Sequence, residues 1–593
     1  MKKLFFLLLL PVMACQTLPE MATINQQQAD HFLNKVHALQ QSPMQQDSLQ
    51  SRFFEARLAF KSFELWPNYY LPEAVKKVNG PVLPKVDEHD ANRKTLHPTG
   101  FQVVEEYLFP FHPADSSIVR EKINELCSYA QGLCRQAKYI QFTEAHFFQA
   151  FREQILTYTA LGLSNFDSPL AKHSHQEMIA SLEGVKPYLH HFHLQSTTIY
   201  YINALQRALR IDGYSSYHLI KKYFIPLERS LNNLRKTNQV KALSFNQMMP
   251  PWEQSLFKLQ QFNPHYFSLH PMKRKIPASA ELGEQLFFDP QLSGNGQRSC
   301  ASCHQTNHAF ASTMARDLAI GQQKPLPRNT PSLNYAAFQS LQFCDGRAGK
   351  LEDQIRQVIS NPEEMNSSLA MVSEKLNTQA SYQKYFEEAF GPTPSISPLQ
   401  IQTALADYIR SIPVGQSAFD QMLFSKLPDN PQVAHGFDLF MGKAQCGTCH
   451  FFPLFNGTVP PHFTETETEV LGITATENFR EPTLDPDAGK YHLYQADLHL
   501  FAFKTPTVRN STLTAPYMHN GAFSSLEKVL EFYDAGGGAG LGLNIPHQTL
   551  PADSLHLSQN EKEALIAFLA ALNDQPAEQQ GLIPFVTMEA EQD

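Results

Sequence analysis

The strongest constraint on this chain of 593 residues is a five-residue pattern, Cys-x-x-Cys-His, that occurs twice. It reads Cys300-Ala301-Ser302-Cys303-His304 in the first copy and Cys446-Gly447-Thr448-Cys449-His450 in the second. Two thiols at this spacing can add to the two vinyl groups of one haem, and the adjacent histidine then reaches the iron. Composition alone gives roughly 0.004 such pentapeptides by chance. The pattern therefore predicts two covalently bound haem c groups, with His304 and His450 as iron ligands.

The alternative for each pentapeptide is a zinc or redox Cys-x-x-Cys pair with an incidental histidine. A zinc site does not require a histidine directly after the second cysteine, whereas each motif here is already a complete haem-binding unit. Export of the protein, which the N-terminus indicates, also favours haem attachment.

The first fifteen residues are typical of an export signal. Lys2 and Lys3 precede an apolar run over residues 4–10 that is too short to span a bilayer. A small residue, Ala14, stands directly before Cys15, which resembles a bacterial lipobox, where the cysteine is lipidated and becomes the new N-terminus. We expect residues 1–15 to be a lipoprotein-type signal peptide, and the protein to lie on the periplasmic side of a bacterial membrane, held only by a lipid anchor at Cys15. An ordinary cleaved signal with an incidental cysteine is the alternative.

Composition limits the classes of partner. The chain is 42% hydrophobic and 18% charged, which suits several packed domains and excludes a disordered protein. Its formal net charge is -9, and no cluster of basic residues offers a site for phosphates, so we expect no nucleic-acid partner.

Three cysteines lie outside both the pentapeptides and the predicted signal peptide. Cys127 and Cys134 are seven residues apart, so they form either a local disulfide in an exported protein or two buried thiols on one helical face. Cys344 has no evident partner.

The pattern of apolar residues predicts a mainly α protein. With one pentapeptide in each of the two later regions, we expect a helical N-terminal domain followed by two cytochrome c-like domains. Helical spacing is clear at residues 53–60 and 201–209 of the N-terminal domain, which we place at 22–265. We can assign this domain no chemistry, and we expect its histidines at 190, 191 and 193 to be solvated or packed. The first haem domain is predicted at 270–425 and the second at 426–593. The second haem domain ends in a helix, whose start is indicated by a capping box from Ser558 to Glu561.

Several stretches around the pentapeptides form a specific set. They are residues 282–289, 328–334, 345–348, 351–354, 362–365, 504–510 and 513–521. Over roughly residues 280 to 540, the chain resembles the bacterial di-haem cytochrome c peroxidases and their MauG-type relatives.

The resemblance implies roles for particular residues. In this family the N-terminal haem meets peroxide, so His304 would hold an iron that is open on its other side. Glu364 matches the carboxylate that moves the peroxide proton, and Gln354 matches the neighbouring distal glutamine. Read without the family, Glu364 is one of two adjacent acids that would usually be solvated. The family's calcium site between the haems would use Asn329 and the carbonyl oxygens of Thr514 and Pro516.

The sequence departs from the peroxidase pattern at both haems. Many di-haem peroxidases carry a histidine that blocks the peroxidatic iron until the enzyme is reduced, and Gln322 stands at that position here. The second haem of the family takes a methionine some way beyond the histidine that matches His519, where this chain offers Tyr533. MauG-type enzymes use a tyrosine as this ligand, and a phenolate lowers the iron potential where a thioether raises it. The alternative for Tyr533 is a core aromatic residue.

A third departure lies between the haems. The family's tryptophan just before Asp-Gly-Arg is replaced by Cys344, and the chain's only tryptophans are Trp66 and Trp252. Cys344 is either a small buried residue or a redox-active thiol.

The predicted function is that of a di-haem c-type peroxidase, an oxidoreductase that reduces hydrogen peroxide at the N-terminal haem with electrons passed through the C-terminal haem. The electrons would come from a small protein such as a cytochrome c or cupredoxin. One alternative is a MauG-like, peroxide-dependent oxidation of a side chain on a partner protein. Another is a haem electron carrier or redox sensor without turnover, which an open site containing Glu364 argues against.

Overall fold

The structure is a computed structural model that describes residues 18–88, 90, 92–268 and 273–574. The predicted signal peptide and its Cys15 lie outside the described residues. Helices dominate the described residues, whose strands form only two short two-stranded antiparallel sheets, so the prediction of a mainly α protein is confirmed. None of the helices in the described ranges is both long and apolar enough to cross a membrane. The predicted domain boundaries stay a prediction.

The described part of the N-terminal region contains eleven α-helices and one hairpin. The helices are α1 (Pro19–Gln40), α2 (Gln46–Phe63), α3 (Leu65–Tyr70), α4 (Pro72–Asn79), α5 (Phe101–Leu108), α6 (Ser116–Ala137), α7 (Glu144–Thr157), α8 (Ser174–Leu189), α9 (Ser196–Leu209), α10 (Ser216–Leu219) and α11 (Ile225–Thr237). Strands β1 (Lys85–Val86) and β2 (Thr95–Leu96) pair between α4 and α5. The two stretches predicted to be helical lie within α2 and α9, which confirms them.

The rest of the chain carries the two pentapeptides. Around the first lie α12 (Ile276–Phe288), α13 (Leu351–Ser360), α14 (Leu369–Asn377), α15 (Ala380–Phe390), α16 (Pro398–Ser411) and α17 (Ala418–Leu423). Around the second lie α18 (Pro431–Met441), α19 (Tyr491–Tyr494), α20 (Leu526–Asp534), α21 (Gly537–Gly540), α22 (Gln559–Ala571) and the antiparallel pair of β3 (Thr468–Val470) with β4 (Ala502–Lys504). Ser558 caps α22 in a capping box with Glu561, as predicted.

The same close helix crossing precedes each pentapeptide. A Cβ atom at Gly283 of α12 would lie 1.9 Å from the carbonyl oxygen of Ala404 in α16, and one at Gly436 of α18 would lie 2.0 Å from that of Ala564 in α22. Only glycine permits the two backbones to approach so closely. Each crossing therefore fixes the helix that leads into a pentapeptide against a later helix of the same region.

Cys127 and Cys134 both lie on α6 as buried free thiols. Residues seven apart on a helix are about 10 Å apart along its axis, too far for a disulfide. Of the two alternatives that the sequence allowed, the structure thus has the packed thiols.

A network of buried charges joins the helices of the N-terminal region. Arg57 of α2 donates to both carboxylate oxygens of Glu177 in α8, at 2.7 and 2.6 Å. Lys61, one turn later, lies 2.6 Å from Asp167 and 3.0 Å from Glu64. Arg57 is fully buried and Lys61 is 5% exposed, so loss of one partner would leave an uncompensated buried charge. The network holds the segment around Asp167 firmly against α2.

Glu153 of α7 is a buried acid whose ionisation should weaken the fold. Gln149 donates to its Oε1 at 2.9 Å, while its Oε2 has no hydrogen-bond partner among the described residues and lies 3.8 Å from Nδ1 of His462. Burial raises the pKa of Glu153 to about 7 from an ordinary value of 4.5. Between these two values the folded chain keeps a proton that the unfolded chain has lost, so stability falls as the pH rises through this window. The loss is complete above the folded pKa and amounts to about 3 kcal/mol.

Glu153→Gln should remove this pH dependence, because the amide keeps the shape and cannot ionise. We expect the variant to unfold at a higher temperature than the wild type at about pH 8 and at nearly the same temperature at about pH 4. Thermal unfolding followed by circular dichroism at both pH values measures this. Glu388→Gln, which changes an exposed acid of α15, is the control and should not shift either midpoint. Equal midpoints for Glu153→Gln and wild type at the higher pH would contradict the prediction.

Candidate active site

The first pentapeptide forms a tight turn that fixes the histidine. Residues Cys300–Ser302 make one 3-10 turn capped by Ser299, and His304 follows with its Nδ1 3.0 Å from the carbonyl oxygen of Phe310. Because a carbonyl oxygen can only accept, Nδ1 carries the proton and donates it. Burial lowers the pKa of His304, so the ring is held neutral, with Nε2 as the unprotonated nitrogen that a metal ligand requires.

The second pentapeptide repeats this arrangement. Cys446–Thr448 form a 3-10 turn, and Nδ1 of His450 lies 2.9 Å from the carbonyl oxygen of Pro506 and 3.3 Å from that of Phe455. Burial lowers the pKa of His450 to about 4. Both histidines are thus neutral rings oriented by main-chain oxygens, the geometry in which imidazole binds a metal.

The thiols of both motifs fit haem attachment better than zinc. They are free, as addition to the vinyl groups of a haem requires, whereas a structural zinc site needs four ligands in one cluster. In the part of the chain that the structure describes, no group of three or more His, Cys, Asp or Glu side chains could hold a metal ion. A haem brings its own four nitrogens and needs only the histidine and the two thiols, so the residues fit this group.

Glu364 lies beside the first pentapeptide. Burial raises the pKa of the Cys303 thiol, and the Glu364 carboxylate adds to this effect. Asn361 donates to Oε1 of Glu364 at 2.9 Å, and Arg298 donates to its main-chain oxygen at 3.2 Å. Burial raises the pKa of Glu364, and the positive charge of Arg347 opposes this. The side chain is thus half-buried and positioned, unlike a solvated surface acid.

Gln354 lies on α13, the helix that ends directly before Asn361. It lies in the first turn of α13, whose C-terminal neighbour is Asn361, the residue that binds Glu364. The Gln354 side chain is half-buried and makes no hydrogen bond with any of the described residues. Gln354 and Glu364 therefore belong to one helix-and-turn unit, although no contact joins their side chains.

Tyr533 of α20 lies in the neighbourhood of the second pentapeptide. Burial raises the pKa of its hydroxyl well above the ordinary range, and the thiols of Cys449 and Cys446 add to this effect. The ring packs against Phe532. This placement is compatible with a sixth iron ligand and with a residue that fills the core. Ligation itself stays a prediction.

Sequence reasoning missed Glu469, an acid at the second pentapeptide. Residues 464–469 alternate threonine and glutamate, so all three glutamates share one face of the strand, a pattern typical of a solvated edge. Glu465 and Glu467 do pair with Lys76 and Lys85 at that edge. Glu469, however, turns toward Cys449, and burial raises its pKa to about 7. No signal in the sequence separates Glu469 from its two neighbours.

The N-terminal region also contacts the second pentapeptide. The ring of Phe166 lies 5.6 Å from that of Phe451, the residue after His450, in an edge-on contact. A Cβ atom at Gly447 would lie 3.3 Å from the Cβ of Ser164. Asp167, next to Phe166, belongs to the buried charge network. The network therefore holds a segment that packs directly on the second motif.

Comparison with known proteins identifies the family. The model for the di-haem cytochrome c peroxidase family matches residues 277–426. Methylamine utilization protein MauG of Methylorubrum extorquens is 34% identical over 310 residues, which cover 52% of this chain and 82% of that protein. This chain belongs to the di-haem cytochrome c peroxidase and MauG family.

Two further relatives carry the name of the peroxidases. Cytochrome-c peroxidase IdrP2 of a Pseudomonas species is 30% identical over 323 residues, covering 52% of this chain and 84% of that protein. Cytochrome c551 peroxidase of Nitrosomonas europaea is 32% identical over 270 residues, covering 44% and 75%. The family that the sequence predicted is thus confirmed, and such a family implies two c-type haems. The matches do not favour the MauG group over the peroxidases.

Gln322, the first departure from the family pattern, lies in an exposed turn next to the Glu364 segment. Its main-chain N donates to Ala319, and Ile320 donates to the main-chain oxygen of Glu363 at 2.8 Å. This turn therefore lies beside the first site. Where many peroxidases carry the blocking histidine, it has the neutral amide side chain of Gln322.

Cys344, the departure from the family pattern between the haems, lies among charged residues between the two motifs. Lys504 donates its main-chain N to the Cys344 oxygen at 2.7 Å, and Arg328 binds Asp345 and Asp487. Burial raises the pKa of the Cys344 thiol despite these cations. A thiol that stays protonated is a poor nucleophile, which favours a packing residue over a redox-active one.

The residues of the expected calcium site lie on adjoining segments. The main-chain N of Asn329 donates to His519 at 2.7 Å, which ties its segment to the one that contains Thr514 and Pro516. The Asn329 amide nitrogen donates to the carbonyl of Ala315 at 3.1 Å. Within the described chain, the amide oxygen of Asn329 and the carbonyl oxygens of Thr514 and Pro516 accept no hydrogen bond. Oxygens of this kind are the ligands that calcium takes, and the calcium site stays a prediction.

Proposed function

We propose that this protein is a di-haem peroxidase that reduces hydrogen peroxide at the His304 site with electrons passed through the His450 site. The observation that carries the proposal is the Glu364 carboxyl, which lies on a segment bound to Arg298, two residues before Cys300, and has only one of its oxygens bound within the described chain. Each haem, when bound, supplies an iron that exchanges single electrons, which these side chains cannot do.

Glu364 would transfer the proton that breaks the peroxide bond. Asn361 holds Oε1 of Glu364, so Oε2 is the oxygen that can accept a proton from the inner peroxide oxygen and return it to the outer one. The outer oxygen then leaves as water. With two electrons and two protons, one hydrogen peroxide gives two waters. The raised pKa of Glu364 makes its protonated form easier to reach during this transfer. Gln354, on the same helix-and-turn unit, would orient the peroxide with its carboxamide.

The second site would receive the electrons. His450 and Tyr533 would hold its iron, and the donor would be a small redox protein such as a cytochrome c or a cupredoxin. The Asn329 site between the motifs would hold one calcium ion, whose ligands would include the carbonyl oxygens of Thr514 and Pro516. We place the protein on the periplasmic side of a bacterial membrane, anchored by lipid at Cys15.

A MauG-like reaction is the second candidate, and the position of Tyr533 favours it. A phenolate at the second iron would lower its potential and oppose simple electron transfer through that haem. The enzyme would then use peroxide to oxidise a side chain on a partner protein. The two functions differ in what is consumed, because only the peroxidase oxidises a small cytochrome continuously.

Steady-state turnover separates these candidates. The haem-loaded protein is mixed with hydrogen peroxide and a reduced small cytochrome, and oxidation of the cytochrome is followed by its absorbance. Continuous oxidation that depends on the protein supports the peroxidase. No oxidation beyond a protein-free control, with peroxide still consumed, supports the MauG-like reaction, and no consumption of peroxide refutes both.

Activation offers a further prediction, because Gln322 stands where many peroxidases carry the blocking histidine. A neutral carboxamide is a poor iron ligand, so the fully oxidised protein should react with peroxide without prior reduction. Stopped-flow mixing of oxidised protein with peroxide should change the Soret absorption before any reductant is added. Gln322→His is the matched variant and should delay this change until the protein is reduced. A wild-type protein that reacts only after reduction would contradict the prediction.

A further inference from the structure

The two most exposed large apolar side chains that the structure describes are Tyr139, at 86%, and Leu194, at 73%. They lie on different loops, Tyr139 just after α6 and Leu194 just after α8. Both loops contact the first turn of α1. Phe142 accepts a hydrogen bond from the main-chain N of Leu18 at 3.0 Å, and His191 lies 3.7 Å from Glu20. The most exposed apolar groups of the molecule therefore flank the start of its first helix.

The loop that carries Leu194 is held in place. His193 and Asn238 exchange two hydrogen bonds, at 3.0 and 3.1 Å, and His191 also lies 2.9 Å from Glu144. Leu194 has a φ of 59°, a left-handed conformation that costs a bulky residue free energy. Hydrogen bonds thus hold this loop in place, and Leu194 is exposed in a left-handed conformation.

The start of α1 is also the point nearest to the proposed anchor. Cys15 precedes Leu18 by three residues, which span at most about 11 Å when fully extended. Lipid chains on Cys15 would hold the start of α1 at the headgroup region of the bilayer. Any loop beside that helix start would then face the membrane at close range.

The chemistry of this face suits a bilayer surface. Tyrosine lies at membrane interfaces because its ring is apolar and its hydroxyl is polar, and leucine enters the boundary of the acyl chains. Arg135 and Lys138, both exposed beside Tyr139, offer positive charge to anionic headgroups. The acids of the face, Glu20 and Glu144, lie 3.7 and 2.9 Å from His191.

We propose that Tyr139 and Leu194, with Arg135 and Lys138, form a membrane-contacting face around the start of α1, which fixes how the enzyme stands on the bilayer. This inference rests on the proposed lipid anchor at Cys15 and adds a surface and an orientation to it. A lipid anchor alone lets a protein tilt freely, whereas two apolar contacts on either side of the tether restrict it.

Site-directed spin labels test this face on the haem-loaded protein. Single variants Tyr139→Cys and Leu194→Cys are labelled, and so are Tyr385→Cys and Leu399→Cys, two exposed apolar positions of the first haem region, as matched controls. The lipidated protein is placed on vesicles of phosphatidylethanolamine and phosphatidylglycerol. Collisions of each label with oxygen, which dissolves in lipid, are compared with collisions with a water-soluble chromium chelate.

The proposal expects the ratio of oxygen to chelate collisions to rise several-fold at 139 and 194 when the protein binds the vesicles, with no change at 385 and 399. A second sample separates this face from the anchor. The chain from residue 16, with a histidine tag in front, is tethered to the same vesicles through nickel-chelating lipid. The rise should recur there even if mass spectrometry finds no lipid on Cys15. Labels at 139 and 194 that stay as open to the chelate as the controls in the tethered sample would overturn the proposal.

Discussion

Replacing Glu364 with glutamine should reduce the peroxide-dependent rate by about 10²–10⁴-fold while both haems stay attached. A glutamine can still accept the hydrogen bond from Asn361, so the turn after α13 should keep its shape. It cannot take up the proton of the inner peroxide oxygen, and cleavage of the peroxide bond then lacks its proton carrier. The effect should be on the rate of the chemical step, with the haem content unchanged.

The neighbouring acid provides a matched control. Glu363 lies one residue away, but its carboxylate pairs with Lys324 at 2.7 Å on the surface. Glu363→Gln should therefore retain near wild-type turnover. Peroxide decay under single-turnover conditions measures the step directly, and the mass of each intact protein reports its haem content. If Glu364→Gln turns over as fast as Glu363→Gln, Glu364 has no part in the mechanism.

The sequence predicted the features that depend on local chemistry. The pentapeptides, the capping box at Ser558 and the helical stretches depend on residues within a few positions of one another, and the structure contains all of them. The neighbourhood of Glu364 could be predicted because the family resemblance supplied a long-range relation that the isolated acid pair lacks. Local patterns and one resemblance thus gave the helices and the chemical groups of the first site.

The remainder depends on contacts between distant segments. The carbonyl of Pro506 that orients His450 is 56 residues away in the chain, and nothing in either segment announces the contact. Glu469 belongs to an alternating strand on which only the fold decides which glutamate is buried. Phe166 and Phe451 meet because the charge network fixes the segment around Asp167. Such relations arise from the packing of whole helices, which a pattern of apolar residues does not encode.

Replacing Tyr533 with methionine should raise the potential of the second haem by on the order of 100 mV, since axial ligands alone move haem potentials over a range of about 0.8 V. A phenolate donates negative charge and stabilises oxidised iron, whereas a neutral thioether favours reduced iron. The thiols of Cys446 and Cys449 act on the Tyr533 hydroxyl, so a methionine at the same helix position lies in the same neighbourhood of the site.

A second variant separates ligation from packing. Tyr533→Phe keeps the ring against Phe532 and removes only the oxygen. If the oxygen binds the iron, both variants should change the spectrum and the potential of the second haem, and only methionine should restore a six-coordinate spectrum. Redox titrations and absorption spectra of the three proteins, each with both haems confirmed by mass, measure this. If the phenylalanine variant matches the wild type in spectrum and potential, Tyr533 is a packing residue and the second iron takes another ligand. The oxygen of Tyr533 is therefore the atom on which the choice between simple electron transfer and MauG-like oxidation depends, because the potential it sets decides whether electrons pass readily through the His450 site.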